Sequence, residues 1–176
     1  DLDVQESICE ALDVTRRLSG YYVDVGVYDG GSAFVALEYM RRSGISRPVL
    51  FMDTFIGYNY PEGRNSSDSH WFAERLYEDT ERFSSPEDFQ SYVSEVVLKP
   101  RNVDFEMLRM NIITDEMPVH VGEVVAAFID PNLLEATAAS LEQLAPRIVS
   151  GGAMILDDVG ATPELTGAML AVEDFL

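Results

Sequence analysis

Tyr21-Tyr22-Val23-Asp24-Val25-Gly26-Val27-Tyr28-Asp29-Gly30-Gly31-Ser32 decides the reading of this chain: an apolar strand carrying an inward acid breaks into a glycine turn and then a helix. A doubly wound α/β sheet builds a small-molecule cofactor pocket in this way. Glycine at 26, 30 and 31 removes Cβ where the backbone turns sharply and a ligand approaches, and the helix start that follows offers unpaired N–H groups to an anion. Asp24 stands in a strand that otherwise reads as buried. A carboxylate is costly there unless a cation or donors meet it, so it is read as the partner of a ligand ammonium. The spacing Gly-x-x-x-Gly-Gly departs from the Gly-x-Gly-x-x-Gly of dinucleotide binders and argues against a hydride-transfer cofactor. An ordinary tight strand-to-helix connection is the alternative for the glycine turn taken alone.

Outward from this stretch, helix and strand patterns alternate. Val4, Ile8, Ala11, Leu12, Thr15 and Leu18 share one helical stripe that Gly20 ends. Ala33 to Met40 reads as the helix after the glycine turn, and Pro48 to Met52 as a second buried strand that ends at Asp53. The segment from 57 to 84 is polar and long, with Tyr58, Tyr60, His70, Trp71 and Phe72, and is expected to be a lid. Ser85-Pro86-Glu87-Asp88 predicts a capped helix start. A third strand is expected over Val103–Met110 and a fourth over Val124–Ile129. A helix over Leu133–Leu144 follows, then a turn at Gly151-Gly152, a fifth strand over Ala153–Leu156 and a last helix over Gly167–Leu176. The order predicts one domain over 1–176, with a mostly parallel sheet and helices on both faces.

A length of 176 residues and an apolar fraction of 47% suffice for one core. The net charge of -19 repels phosphate backbones and anionic membrane surfaces, so nucleic acid and membrane are not expected as partners. One cysteine, Cys9, forms no internal disulfide and reads as packing. No apolar run approaches a membrane span and no signal peptide is seen, so a cytoplasmic protein is expected. The start at Asp1 suggests a processed or excised segment.

Four strands end at or near acids: Asp24, Asp53, Asp130 and the pair Asp157-Asp158. Ligands bind beyond such strand ends, and an acid after the second strand accepts hydrogen bonds from ribose hydroxyls. Asp130, Asp157 and Asp158 converge if strands four and five are neighbours. Their repulsion would be relieved by a hard cation such as Mg²⁺, with Asn132 adding an amide oxygen. The alternative is that these acids cap loops or helices. Asp130 and His70 are the candidate catalytic bases, and His120 is a weaker one. The tyrosines, Trp71 and Phe72 line an acceptor pocket or pin the lid.

Together, Asp24–Ser32, Asp-Thr-Phe-Ile-Gly at 53–57, Phe-Ile-Asp-Pro-Asn-Leu-Leu-Glu-Ala-Thr at 128–137, Pro-Arg-Ile-Val-Ser-Gly-Gly at 146–152 and Ile-Leu-Asp-Asp-Val-Gly at 155–160 resemble the macrocin O-methyltransferase family. The resemblance implies a Rossmann-like class I methyltransferase that uses S-adenosylmethionine and Mg²⁺ to methylate a sugar or natural-product hydroxyl. It implies that Asp24, Gly26, Gly30, Gly31 and Ser32 hold the methionine part, Asp53 the ribose, and Asp130, Asp157 and Asp158 the metal. Tyr28, Thr54 and Asn111 are expected at the same cofactor site. The family usually has a basic residue at position 29, an acid at 56, and a histidine and an acid at 128 and 132, where this chain has Asp29, Ile56, Phe128 and Asn132. The family also continues for two more strands, which leaves open a reduced sheet, a homo-oligomer covering its edge, or a place within a larger chain. A metal-independent methyltransferase and a non-catalytic module of the same fold are the rival readings.

Overall fold

A computed structural model of the chain describes residues 2–72, 83–160 and 165–176. Five strands, β1 (Tyr21–Val25), β2 (Val49–Asp53), β3 (Glu106–Arg109), β4 (Val124–Ile129) and β5 (Ile148–Leu156), form one parallel sheet in the order β3-β2-β1-β4-β5. Alternation along the strands sends neighbouring side chains to opposite faces. Tyr22, Phe51, Ala126 and Phe128 join a core with α1 (Leu2–Val14), α2 (Gly31–Ser43) and α5 (Pro86–Ser91). Val23, Val25, Leu50, Met52, Ala127 and Ile129 join a second core with α6 (Leu134–Leu144), against which α7 (Gly167–Phe175) lies. The sheet is therefore doubly wound. All six residues of β4 are buried, as a central parallel strand requires.

Two short helices, α3 (Pro61–Asn65) and α4 (Ser69–Phe72), occupy the start of the expected lid. Its residues 73–82, and the side chains of Trp71 and Phe72, lie outside the described residues. Ser85 caps α5 as its sequence predicts, accepting from the Asp88 N–H at 3.1 Å. Beyond Ser91 that helix widens into π-helical turns over Tyr92–Leu98, a geometry often found beside functional sites.

Gly151-Gly152 does not turn the chain before a short fifth strand. β5 begins at Ile148, and five of its steps, Ile148 to Ala153, span only the two from Val124 to Ala126 on β4. The surplus bulges out, with Gly151 at φ 82° and Gly152 packed so tightly that a Cβ would lie 2.9 Å from Ile148 Cγ2. Glycine thus marks a bulge inside the strand rather than its boundary.

The order in which strands are added to the sheet reverses between β1 and β4: β1 to β3 build one half of the sheet and β4 starts the other, which opens a crevice at their carboxyl ends. Gly26 lies in that crevice at φ 91°, and a Cβ there would sit 2.2 Å from the Asp130 carbonyl oxygen. Its N–H donates to the Met52 carbonyl at 2.9 Å, and the Asp130 N–H donates to Val25 at 2.8 Å. Gly26→Ala is therefore expected to cost about 3 kcal/mol or more, read as a lowered urea midpoint. A wild-type midpoint would show that the crevice is not this tight.

Candidate active site

The turns that leave β1, β2, β4 and β5 at the carboxyl edge each pass through a non-glycine residue at positive φ: Tyr28 at 48°, Phe55 at 55°, Asn132 at 63° and Asp158 at 58°. Such backbone is strained for a side chain with Cβ, and strain of this kind gathers at functional sites. Packing holds two of these turns. The rings of Tyr28 and Phe55 both stand edge-on to Phe89, at 6.1 and 5.7 Å, and Phe83 stacks on Phe89 at 4.5 Å.

Between these turns lies a hollow of about 330 Å³, within the size range of small-molecule sites. Of the residues the sequence singles out, Gly26, Tyr28, Asp53, Thr54, Asn111 and Asp130 line it, together with Tyr58, Tyr60 and Asn132. Asp53 is held by its own loop: Oδ2 accepts from the Tyr28 N–H at 2.8 Å and Oδ1 from the Phe55 N–H at 2.7 Å. It serves as a loop cap, yet its two oxygens have lone pairs left for hydroxyl donors. Burial raises its pKa against those bonds. Thr54 Oγ1 donates to the Gly57 carbonyl at 3.1 Å and shapes the same loop. Asn111 accepts from the Ile113 N–H and donates to Glu62 at 3.0 Å, which ties the turn after β3 to α3. Asn132 donates to the Tyr58 hydroxyl at 2.9 Å, and burial, with the charges of Asp130 and Asp53, pushes that phenol well above its usual range.

Other expected residues fall elsewhere. Asp24, within β1, is fully buried. Its Oδ2 accepts from Ser32 Oγ at 2.9 Å while Oδ1 has no partner among the described residues. Burial pushes its pKa up to about 7 against the Ser32 bond, with the Asp53 charge adding to the rise. An orphaned buried carboxylate oxygen fits a site that a ligand cation completes. Gly30 is buried with its missing Cβ facing Val93 and Val97, at 3.0 and 3.2 Å, so its glycine serves packing and the 91° φ rather than an approaching ligand. Gly30 and Gly31 line a separate hollow that shares only Tyr28 and Phe89 with the first. At the start of α2 the chain's own Asp29 accepts from the Gly31 N–H at 3.3 Å, where an incoming anion was expected. His70 is exposed, with Nδ1 3.0 Å from the Ser67 carbonyl, and does not line the hollow. His120 pairs with Glu106 at 2.8 Å, also outside it.

β4 and β5 are neighbours, with Ile129 opposite Leu156, so Asp130 and Asp157 leave the sheet at the same level. Burial, followed by the charges of Asp157, Asp158, Asp24 and Asp53, pushes the Asp130 carboxyl up to about 9. Asp158 is raised by burial and by Asp157, although its N–H donates to Asp157 Oδ1 at 2.8 Å. The donor chemistry is that of a hard cation site. Among the described residues, however, no three His, Cys, Asp or Glu side chains are grouped closely enough to hold a metal ion.

A family model described as macrocin O-methyltransferase (TylF) matches residues 3–176. The O-methyltransferase NovP superposes with a TM-score of 0.75 at 20% identity, covering 97% of this chain and 70% of that one. The calicheamicin methyltransferase CalS11 superposes at 0.70 and 18% identity, and its apo form, described as a TDP-rhamnose 3'-O-methyltransferase, at 0.67 and 17%. Each of these covers 98% of this chain and 70% of the other. At such identities the likeness is one of fold. No curated protein sequence matches. Among the described residues no helix is long and apolar enough to cross a membrane.

Asp24 and Asp130 keep protons in the folded chain at pH values where the unfolded chain, with carboxyls near 4, has released them. Stability contributed below pH 4 is therefore lost as pH rises through about 7 for Asp24 and about 9 for Asp130. The ligand-free melting temperature is expected to fall from pH 5 to 9. Asp130→Asn should flatten that fall and stabilise the chain at pH 8 by on the order of 1 to 2 kcal/mol. A slope unchanged by the substitution would contradict the assignment.

Proposed function

We propose that this chain, which belongs to the macrocin O-methyltransferase family and is an S-adenosylmethionine-dependent O-methyltransferase, methylates a hydroxyl of a sugar or other natural product in the hollow beyond β1, β2 and β4. The observation that carries this reading is the acidic wall of the hollow: Asp53 and Asp130 stand on either side of Gly26, with the unpaired oxygen of Asp24 behind it. A ligand bringing hydroxyl donors and positive charge supplies what these groups lack.

When bound, the cofactor supplies a methyl group on a cationic sulfur. Asp53 would accept from the ribose hydroxyls, and Thr54 and Asn111 would shape the nucleoside end. Asp24, with Ser32, would answer the ammonium from behind the turn, while Gly26 and Tyr28 form the floor and Gly30 and Gly31 set the turn itself. Tyr58, Tyr60 and Met110 would exclude water, which strengthens the electrostatics inside, and holding both reactants supplies the proximity effect. Asp130 is the candidate acceptor of the hydroxyl proton. Held near 9 in the free chain, it is mostly protonated at neutral pH, and positive charge beside it would free it to act as a base. Mg²⁺ held by Asp130, Asp157 and Asp158 would supply charge that lowers the acceptor's pKa. That no three such side chains among the described residues are grouped closely enough to hold a metal ion favours a second reading, the same transfer without metal, which activity surviving EDTA would establish. The reading places the enzyme in the cytoplasm, in natural-product biosynthesis.

S-adenosylhomocysteine at a hundred times its dissociation constant should add about 2.7 kcal/mol, or roughly 5 to 10 °C in melting temperature. Asp53→Ala should abolish that shift and spare any shift produced by Mg²⁺, whereas Asp157→Ala should abolish only the Mg²⁺ shift. No response of the folded wild-type chain to S-adenosylhomocysteine would sink the proposal.

A further inference from the structure

Residues 57–72 are fastened to the corner where β4 turns into α6, and we propose that Asp68 is the positioning residue of that corner. Its buried carboxylate fixes the start of α6 and so the wall of the hollow formed by Asp130, Pro131 and Asn132. The inference rests on the reading of that hollow as the cofactor site.

α6 begins without a cap of its own. Leu133 occupies the cap position and offers no side-chain acceptor, so the first N–H groups of the helix need one from elsewhere. Asp68, 65 positions before Leu133 in sequence and only 3% exposed, provides it: Oδ2 accepts from the Leu134 N–H at 2.9 Å. A carboxylate there also meets the positive end of the helix dipole. Asp68 is itself placed by neighbours. Its N–H donates to Ser66 Oγ at 3.2 Å, Ser66 Oγ donates to Glu135 Oε2 at 2.5 Å, and the Ser67 N–H reaches Glu135 Oε1 at 3.4 Å. On the open side lies Gly167 of α7, where a Cβ would stand 1.9 Å from Asp68 Oδ2 and 2.6 Å from the Leu134 nitrogen. Glycine at 167 is thus the space that the carboxylate occupies.

Only residues 130–133 separate β4 from α6. Three of them line the hollow, as does Ala136 one turn into the helix. Within this link Asn132 is held at φ 63°, the Leu133 N–H donates to Pro131 at 2.7 Å, and Asn132 donates to Tyr58 at the other end of the 57–72 segment. A link so short and strained carries any shift of the α6 start directly to Asp130.

The test compares wild type, Asp68→Ala, Asp68→Asn and Gly167→Ala by calorimetric titration with S-adenosylhomocysteine well below each melting point, and by amide exchange at Asp130. Asp68→Ala and Gly167→Ala should weaken binding about tenfold or more and speed Asp130 exchange about tenfold. Asp68→Asn, whose amide oxygen still accepts from Leu134, should stay within about threefold of wild type on both counts. If Asp68→Ala or Gly167→Ala lowers the melting temperature but leaves affinity and Asp130 exchange at wild-type values, Asp68 is a helix cap alone and the proposal is overturned. If wild type itself does not bind S-adenosylhomocysteine, the functional reading falls instead, and Asp130 exchange in the variants decides the positioning role for or against.

Discussion

Buried carboxyls without a counter-charge, gathered where parallel strands end, are the constraint on which this structure turns. Asp24, Asp53 and Asp130 come from three adjacent strands, β1, β2 and β4, and each is raised by burial. A chain gains nothing in stability by burying acids in this way, since apolar or hydrogen-bonded residues of similar volume would cost less. The arrangement becomes intelligible when a ligand brings the missing donors and charge. The four left-handed turns at the same edge belong to the same economy: local strain is held by packing on Phe89 and by the strap of residues 57–72.

The rest of the fold supports that edge. A parallel sheet places all strand ends on one side, and the reversal of strand order between β1 and β4 opens the crevice that Gly26 keeps narrow. Two cores, one on each face, fix the strands from behind. The mouth of the hollow is anchored from the segment after β2. The segment after Gly57 has the polarity of a lid, yet as far as Phe72 it is bound to the α6 corner through Tyr58, Ser66 and Asp68.

Much of this was legible in the sequence because its causes are local. The unbroken apolar run Val124–Ile129 announces a central strand, Ser85-Pro86 announces a helix start, and Asp53 follows directly on the apolar run of β2. The doubly wound sheet and the family follow from the order of such signals. What escaped depends on partners distant in sequence. Gly151-Gly152 looks like a turn because glycine signals a bend without saying whether a neighbouring strand continues past it. Gly30 looks like a ligand contact, but Val93 and Val97 pack on it from a helix some sixty residues later. Asp68 gives no local sign of capping, because the helix it caps begins at Leu134. Nor does the local sequence show that Phe89 is the ring on which two strained turns rest.

The most direct measurement of the central claim is a carbon-13 NMR titration of the aspartate carboxyls in the ligand-free chain and with S-adenosylhomocysteine bound. The account predicts that Asp24 titrates near 7 and Asp130 near 9 when free, and that the bound ammonium moves Asp24 downward. Carboxyls that titrate in the ordinary range near 4 in the free chain, or that do not respond to the ligand, would contradict it.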